Sequence, residues 1–192
     1  MQQLQKFEKR FQDLQAIDCF HCSRGEDLKR LLQKAEALES PVETSPGRRL
    51  QTRDYQGKTW LTRPRPVIDR VGSAWLIRKF VDPQAKFLFG DLPSVQLDAI
   101  PYDMLDVEFS HHGDRCTFET LMERFGIRDR AVHRLAEFIH DADLEDDKFH
   151  RLEGFGIERI FKGWAKQGLS DSEILSKGFE CFDGLYAEFQ RS

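Results

Sequence analysis

The stretch TWLTRPRPVIDRVGSAWLIRKFV, residues 59 to 81, constrains the fold more than any other part of the chain. Thr59 to Thr62 are good strand formers, but Pro64 and Pro66 each lack a backbone donor, so the strand must give way to an extended loop. Val71, Ala74, Trp75 and Phe80 then recur at helical spacing, with Asp69 in the place of an N-cap. A short strand feeding a buried helix is the opening of an α/β unit. AKFLFGD and AIPYDML follow as two further short strands bounded by Pro, Gly or Asp. From Thr117, read as the next N-cap, the pattern turns helical. CTFETLMERF closes at Gly126, and RAVHRLAEFIHDADL, EGFGIERIFKGWAKQG and DSEILSKGFECFDGLYAEFQ come after it. The expected fold class is α/β, a small sheet of about three or more strands covered by several helices.

Ahead of this body, Leu4, Phe7, Phe11 and Leu14 mark one amphipathic helix, and Leu28, Leu31, Leu32, Ala35 and Leu38 mark another that Ser23 would cap. They predict an N-terminal helical hairpin over residues 1 to 40. SPVETSPGRR breaks the pattern, so residues 41 to 56 read as a linker and 57 to 192 as the main domain. The hairpin's apolar faces call for cover, from the body of the chain or from a second copy in a homodimer.

No run reaches the roughly 18 apolar residues of a membrane span, and the polar start MQQLQKFEKR does not resemble a signal peptide. A cytoplasmic location with reduced cysteines is therefore expected. The formal net charge of -4 disfavours nucleic acid as a partner, despite arginines clustered between residues 48 and 70.

Three stretches carry potential chemistry. In HHGDRCTFE, His111 and His112 approach the start of a helix where Cys116 and Glu119 stand three apart. Imidazole, thiolate and carboxylate together suit a transition metal such as zinc, manganese or iron. The same residues also fit a bland role, capping a helix start and filling a core. In FIHDADLEDD, His140, Asp141 and Asp143 gather at a helix end, where negative charge opposes the macrodipole and a cation would relieve it. Asp146 and Asp147 read as a solvated turn. In TRPRPVIDR, Arg63 and Arg65 lie on an extended run facing one side, with Asp69 and Arg70 at the following helix start. Guanidinium forks beside free helix N–H groups suit a tetrahedral oxyanion such as chromate, sulfate or phosphate. The C-x-x-C of Cys19 and Cys22 stands without a second pair and reads as buried thiols.

From TWLTRPRPVIDRVGSAWLIRKFVDPQAKFLF through FSHHGDRCTFETLMERFGI to LAEFIHDADLEDDKF, the chain resembles the C-terminal domain of the chromate-resistance protein family of ChrB type. The resemblance spans roughly residues 55 to 190 and implies a response to chromate as a stress. Its motifs fall on Arg63, Arg65, Asp69 and Arg70, on His111, Asp114, Cys116 and Glu119, and on His140, Asp141 and Asp143. His111 is favoured over His112. Longer members carry a regulatory domain ahead of this one, and DNA binding is not expected of this chain alone. A fainter likeness to the DHH phosphoesterases rests on DRVGSAWLI and SHHG, and would place Asp103 at a strand end within a metal site.

The expectation is one divalent ion held by His111, Glu119, His140 and Asp143, with Cys116 and Asp141 close by. Asp69, Arg63, Arg65 and Arg70 would serve an oxyanion beside it. Two alternatives stand next to it, a metal-dependent phosphoesterase and a non-enzymatic regulator that responds to an oxyanion. Whether the chain is an enzyme is left open by the sequence.

Overall fold

A computed structural model describes residues 49–90 and 98–191, all within one compact unit, Arg48–Ser192. The hairpin expected over residues 1 to 40, with Ser23, Cys19 and Cys22, lies outside the described residues.

Three strands form a parallel sheet in the order β2-β1-β3, with β1 Thr59–Thr62 central, β2 Lys86–Phe89 on one side and β3 Ile100–Pro101 on the other. Thr59 pairs with Lys86 and Thr62 with Phe89, while Trp60 and Leu61 pair with Ile100 and Pro101. β3 is shorter than AIPYDML led us to expect. Pro101 suits an edge position, and past Tyr102 the chain turns sharply through Asp103 at φ 48°.

Five α-helices accompany the sheet among the described residues, α1 Ile68–Leu76 between β1 and β2, then after β3 α2 Thr117–Phe125, α3 Arg130–Leu144, α4 Glu153–Lys166 and α5 Asp171–Arg191. The α/β class and its helix excess are as expected. No helix in the described residues is long and apolar enough to cross a membrane.

α1 is the hub. It is buried almost end to end and packs on α2, α3, α4 and α5. Gly72 permits this, because a Cβ there would lie 2.8 Å from Ile139 Cδ1 and 3.1 Å from Phe182 Cζ. Beyond Leu76 the helix loosens into a wider turn, Ile77–Val81, and stops at Asp82. That buried carboxylate accepts backbone hydrogen bonds from Gly57, Lys58 and Gln84, fastening the entries to β1 and β2. α2 ends at Gly126 in the left-handed region, φ 64°, as its sequence predicted.

Two aromatic groups fill the interior. Tyr55, Trp60, Phe109 and Phe125 pack together on the sheet side. Trp75, Phe80, Phe182 and Tyr186 do so between α1 and α5. The carboxyl ends of β1 and β3 therefore open between the N-termini of α1 and α2, the place where α/β sheets present ligand sites.

Candidate metal centre

Asp69 is 1 % exposed and does not cap its own helix, contrary to the sequence reading. α1 begins at Ile68, whose N–H donates to Glu158 Oε2 from α4 at 2.8 Å. The Asp69 carboxylate, one residue inside the first turn, reaches across to α2. It accepts from Thr117 N at 3.0 Å and Phe118 N at 2.9 Å. The N-cap position of α2 is Cys116 rather than Thr117. Asp69 thus adds a cap from α1 to the Cys116–Glu119 capping box of α2 itself, which fixes both Asp69 oxygens in space.

Asp103 is held with equal firmness. Its Oδ2 accepts from Arg70 Nε at 2.6 Å and Arg63 Nη2 at 3.2 Å, and its Oδ1 accepts from Thr117 Oγ1 at 3.2 Å. The Arg63 Nε also donates to the Asp103 carbonyl. Sequence reasoning reached Asp103 only through the fainter of its two likenesses. The local signal was a lone aspartate just past a short strand.

Between these carboxylates stands His111, from the loop before α2. Its Nε2 lies 3.3 Å from Asp69 Oδ2, 3.5 Å from Asp103 Oδ1 and 3.2 Å from Asp143 Oδ2 at the end of α3. Donor atoms of Asp69, Asp103 and His111 all lie within 4.8 Å of one another. One ring nitrogen carries at most one proton and cannot serve three carboxylates. Asp143 Oδ2 is buried and makes no aligned hydrogen bond despite its closeness. The pull of Asp143, then of Asp69, raises the imidazole to about 10 against the opposing effect of burial. A divalent cation would satisfy Asp69, Asp103 and His111 at once, and Asp143 Oδ2, 3.2 Å from the same ring nitrogen, stands within reach as a further ligand. The His111 ring is 41 % exposed, so the cluster is open to solvent on that side.

Cys116, Glu119 and His140, also singled out from the sequence, form a second group, while Asp114 pairs with Lys148 at the surface. His140 is fully buried, with Nδ1 2.6 Å from Glu119 Oε2 and Nε2 3.2 Å from Asp146 Oδ2. Burial would lower its pKa, but the hydrogen bonds to Glu119 and Asp146 leave it raised. Asp146 is exposed, as read from the sequence, and also partners His140. Cys116 is also fully buried, and desolvation, reinforced by Asp69 and Glu119, pushes its thiol well above the ordinary range. Asp141 is occupied elsewhere. Its oxygens accept from the backbone N–H groups of Phe149 and Arg151, folding the loop ahead of α4.

Residues expected to surround one ion thus fall into two groups, His111 with Asp143 and Glu119 with His140. Arg63 and Arg70 converge, but Arg65 does not join them. The run bends at Arg65, φ 56°, where the backbone N–H donates to Asp171 and the side chain is exposed. An extended run facing one side is therefore not what forms. His112 also points outward, toward the Glu108 carbonyl.

Comparison with known proteins decides the family, since the family model described as ChrB, C-terminal domain, matches residues 60–189. The chain belongs to the ChrB C-terminal domain family. It is similar to Protein ChrB of Cupriavidus metallidurans, at 36 % identity over 137 residues, which covers 70 % of this chain and 42 % of that protein. The chain thus spans less than half the length of the curated relative that it matches. No solved structure matches it. Both groups, from Arg63 to Asp146, lie inside the stretch matched to the ChrB C-terminal domain.

Proposed function

We propose that this ChrB-family domain binds a divalent transition metal at Asp69, Asp103, His111 and Asp143, and that the loaded centre takes a small oxyanion as part of a response to chromate. The observation that carries the reading is the buried Asp143 oxygen, left without an aligned partner beside an imidazole that two other carboxylates already approach. Family membership supports the association with chromate resistance. An oxygen-rich set with one imidazole suits manganese, iron or zinc, and the metal would supply a Lewis acid at the solvent-open side of His111.

Charge supports the oxyanion. Three carboxylates facing two guanidiniums and a dication leave one positive charge in excess, with the α1 and α2 N-termini adding to it. Arg63 and Arg70 already serve Asp103, so their first role is to hold that ligand. Arg63 is half exposed, so its guanidinium is accessible from solvent beside Asp103.

Metal analysis of full-length chain purified without an affinity tag tests the reading. A bound divalent ion is expected, lost in His111→Ala and Asp103→Asn, with chromate or sulfate raising the melting temperature only of loaded protein. Protein that binds no metal, or the same amount in both variants, would overturn it. The exposed His111 face also favours a second reading, metal-dependent phosphoester hydrolysis. Manganese-dependent turnover abolished by Asp103→Asn would select it, and silence across a broad phosphoester panel would remove it.

A further inference from the structure

The Glu119–His140 group contains the features of a separate site. We propose that Cys116 Sγ, Glu119 Oε2 and His140 Nδ1 form a second, buried metal centre of thiolate, carboxylate and imidazole type, suited to zinc and distinct from the His111 cluster.

The three donor atoms lie within 4.8 Å of one another. Cys116 and His140 are fully buried and the Glu119 side chain is 16 % exposed, so this centre is closed where the His111 cluster is open. The donors come from two helices that pack together. Cys116 is the N-cap of α2, Glu119 is in its first turn, and His140 is in the last turns of α3. The Glu119 side chain is held by the Cys116 backbone N–H at 3.0 Å, which keeps it beside the thiol.

The imidazole supplies a second, independent sign. Its Nδ1 lies 2.6 Å from Glu119 Oε2, while its Nε2 faces Asp146 Oδ2 at 3.2 Å. A carboxylate on the far nitrogen is what sets the tautomer and orientation of a metal-bound histidine. The edge-to-face contact with Phe149, centroids 5.0 Å apart, fixes the ring plane. Asp141 turns both of its oxygens to the backbone N–H groups of Phe149 and Arg151, on the loop ahead of α4.

Ligand chemistry separates the two centres. Three carboxylates and an imidazole favour a harder ion, whereas a thiolate draws zinc or its spectroscopic substitute cobalt(II). The competing arrangement is an imidazolium clasped by Glu119 and Asp146 beside an inert thiol, and it makes no thiolate–metal bond.

Cobalt(II) titration of chelator-stripped, full-length chain distinguishes them. A thiolate-to-cobalt charge-transfer band in the near ultraviolet is expected, and it should vanish in Cys116→Ser with a loss of about one ion per chain. Serine is a favoured N-cap, so α2 keeps its start in that variant. Glu119→Gln should weaken the cobalt binding seen through the band at least about tenfold. Asp103→Asn should empty the His111 cluster and leave the band intact, so the two centres can fail separately. No band in the parent protein, an undiminished band in Cys116→Ser, or unchanged affinity in Glu119→Gln would each overturn the proposal.

Discussion

Replacing Asp69 by asparagine removes one charge and almost no volume, and the structure gives a two-part outcome. The Asp69 carboxylate accepts from Thr117 N and Phe118 N, at 3.0 and 2.9 Å, with no exposed edge. An amide offers one acceptor oxygen, so one of these buried N–H groups meets an NH₂ instead. Leaving it unpaired costs about 1–3 kcal/mol. Losing the negative charge at the start of α2 adds about 0.3–1 kcal/mol. Together they predict a loss of about 1.3–4 kcal/mol, or roughly 3–15 °C in melting temperature for a unit of this size. That part is independent of metal. The second part is loss of an ion ligand, which should weaken metal binding at least about tenfold and widen the stability gap when metal is supplied. Denaturant unfolding with and without chelator, run on parent and Asp69→Asn, measures both. Stability within about 0.5 kcal/mol of the parent under both conditions would refute the cross-helix cap. A gap that metal leaves unchanged would confine Asp69 to capping.

Arg70→Lys keeps the charge beside Asp103 but loses the fork that also ties Pro64 and Arg65 carbonyls; metal affinity by calorimetry should fall about 10–100-fold. In metal-free protein, the raised His111 pKa gives stability that is fully present below about pH 6.5 and lost as pH climbs toward 10. Metal affinity should move the opposite way, rising with pH, because the ligand must lose that proton; parallel unfolding and binding profiles check the two signs. Gly72→Ala sets a methyl 2.8 Å from Ile139 Cδ1 at the centre of the helix packing and should cost about 1–3 kcal/mol without changing metal content.

Much of the fold was legible because its signals are local. Strand formers ending in a proline pair gave β1 and its exit, and helical periodicity with Gly126 gave the limits of α2. The site was legible in part. The loop at His111 and the end of α3 do converge, but through Asp143 rather than through His140. What stayed hidden depends on contacts between distant segments. Asp69 stands where a local cap belongs, and no sequence spacing reveals that Glu158 supplies that cap while Asp69 serves α2. Alternation placed Arg63 and Arg65 on one side, and a single left-handed residue undid it. Asp146 is exposed as its sequence suggested, but its contact with His140, in the preceding helix, carries no local signal.

The most direct test is a crystal structure of metal-loaded protein with anomalous data collected at the manganese, iron and zinc edges. The account predicts a peak about 2.0–2.2 Å from His111 Nε2 and from oxygens of Asp69, Asp103 and Asp143. Loaded crystals with no peak there, and with Asp143 turned to solvent or hydrogen-bonded to His111 alone, would contradict it.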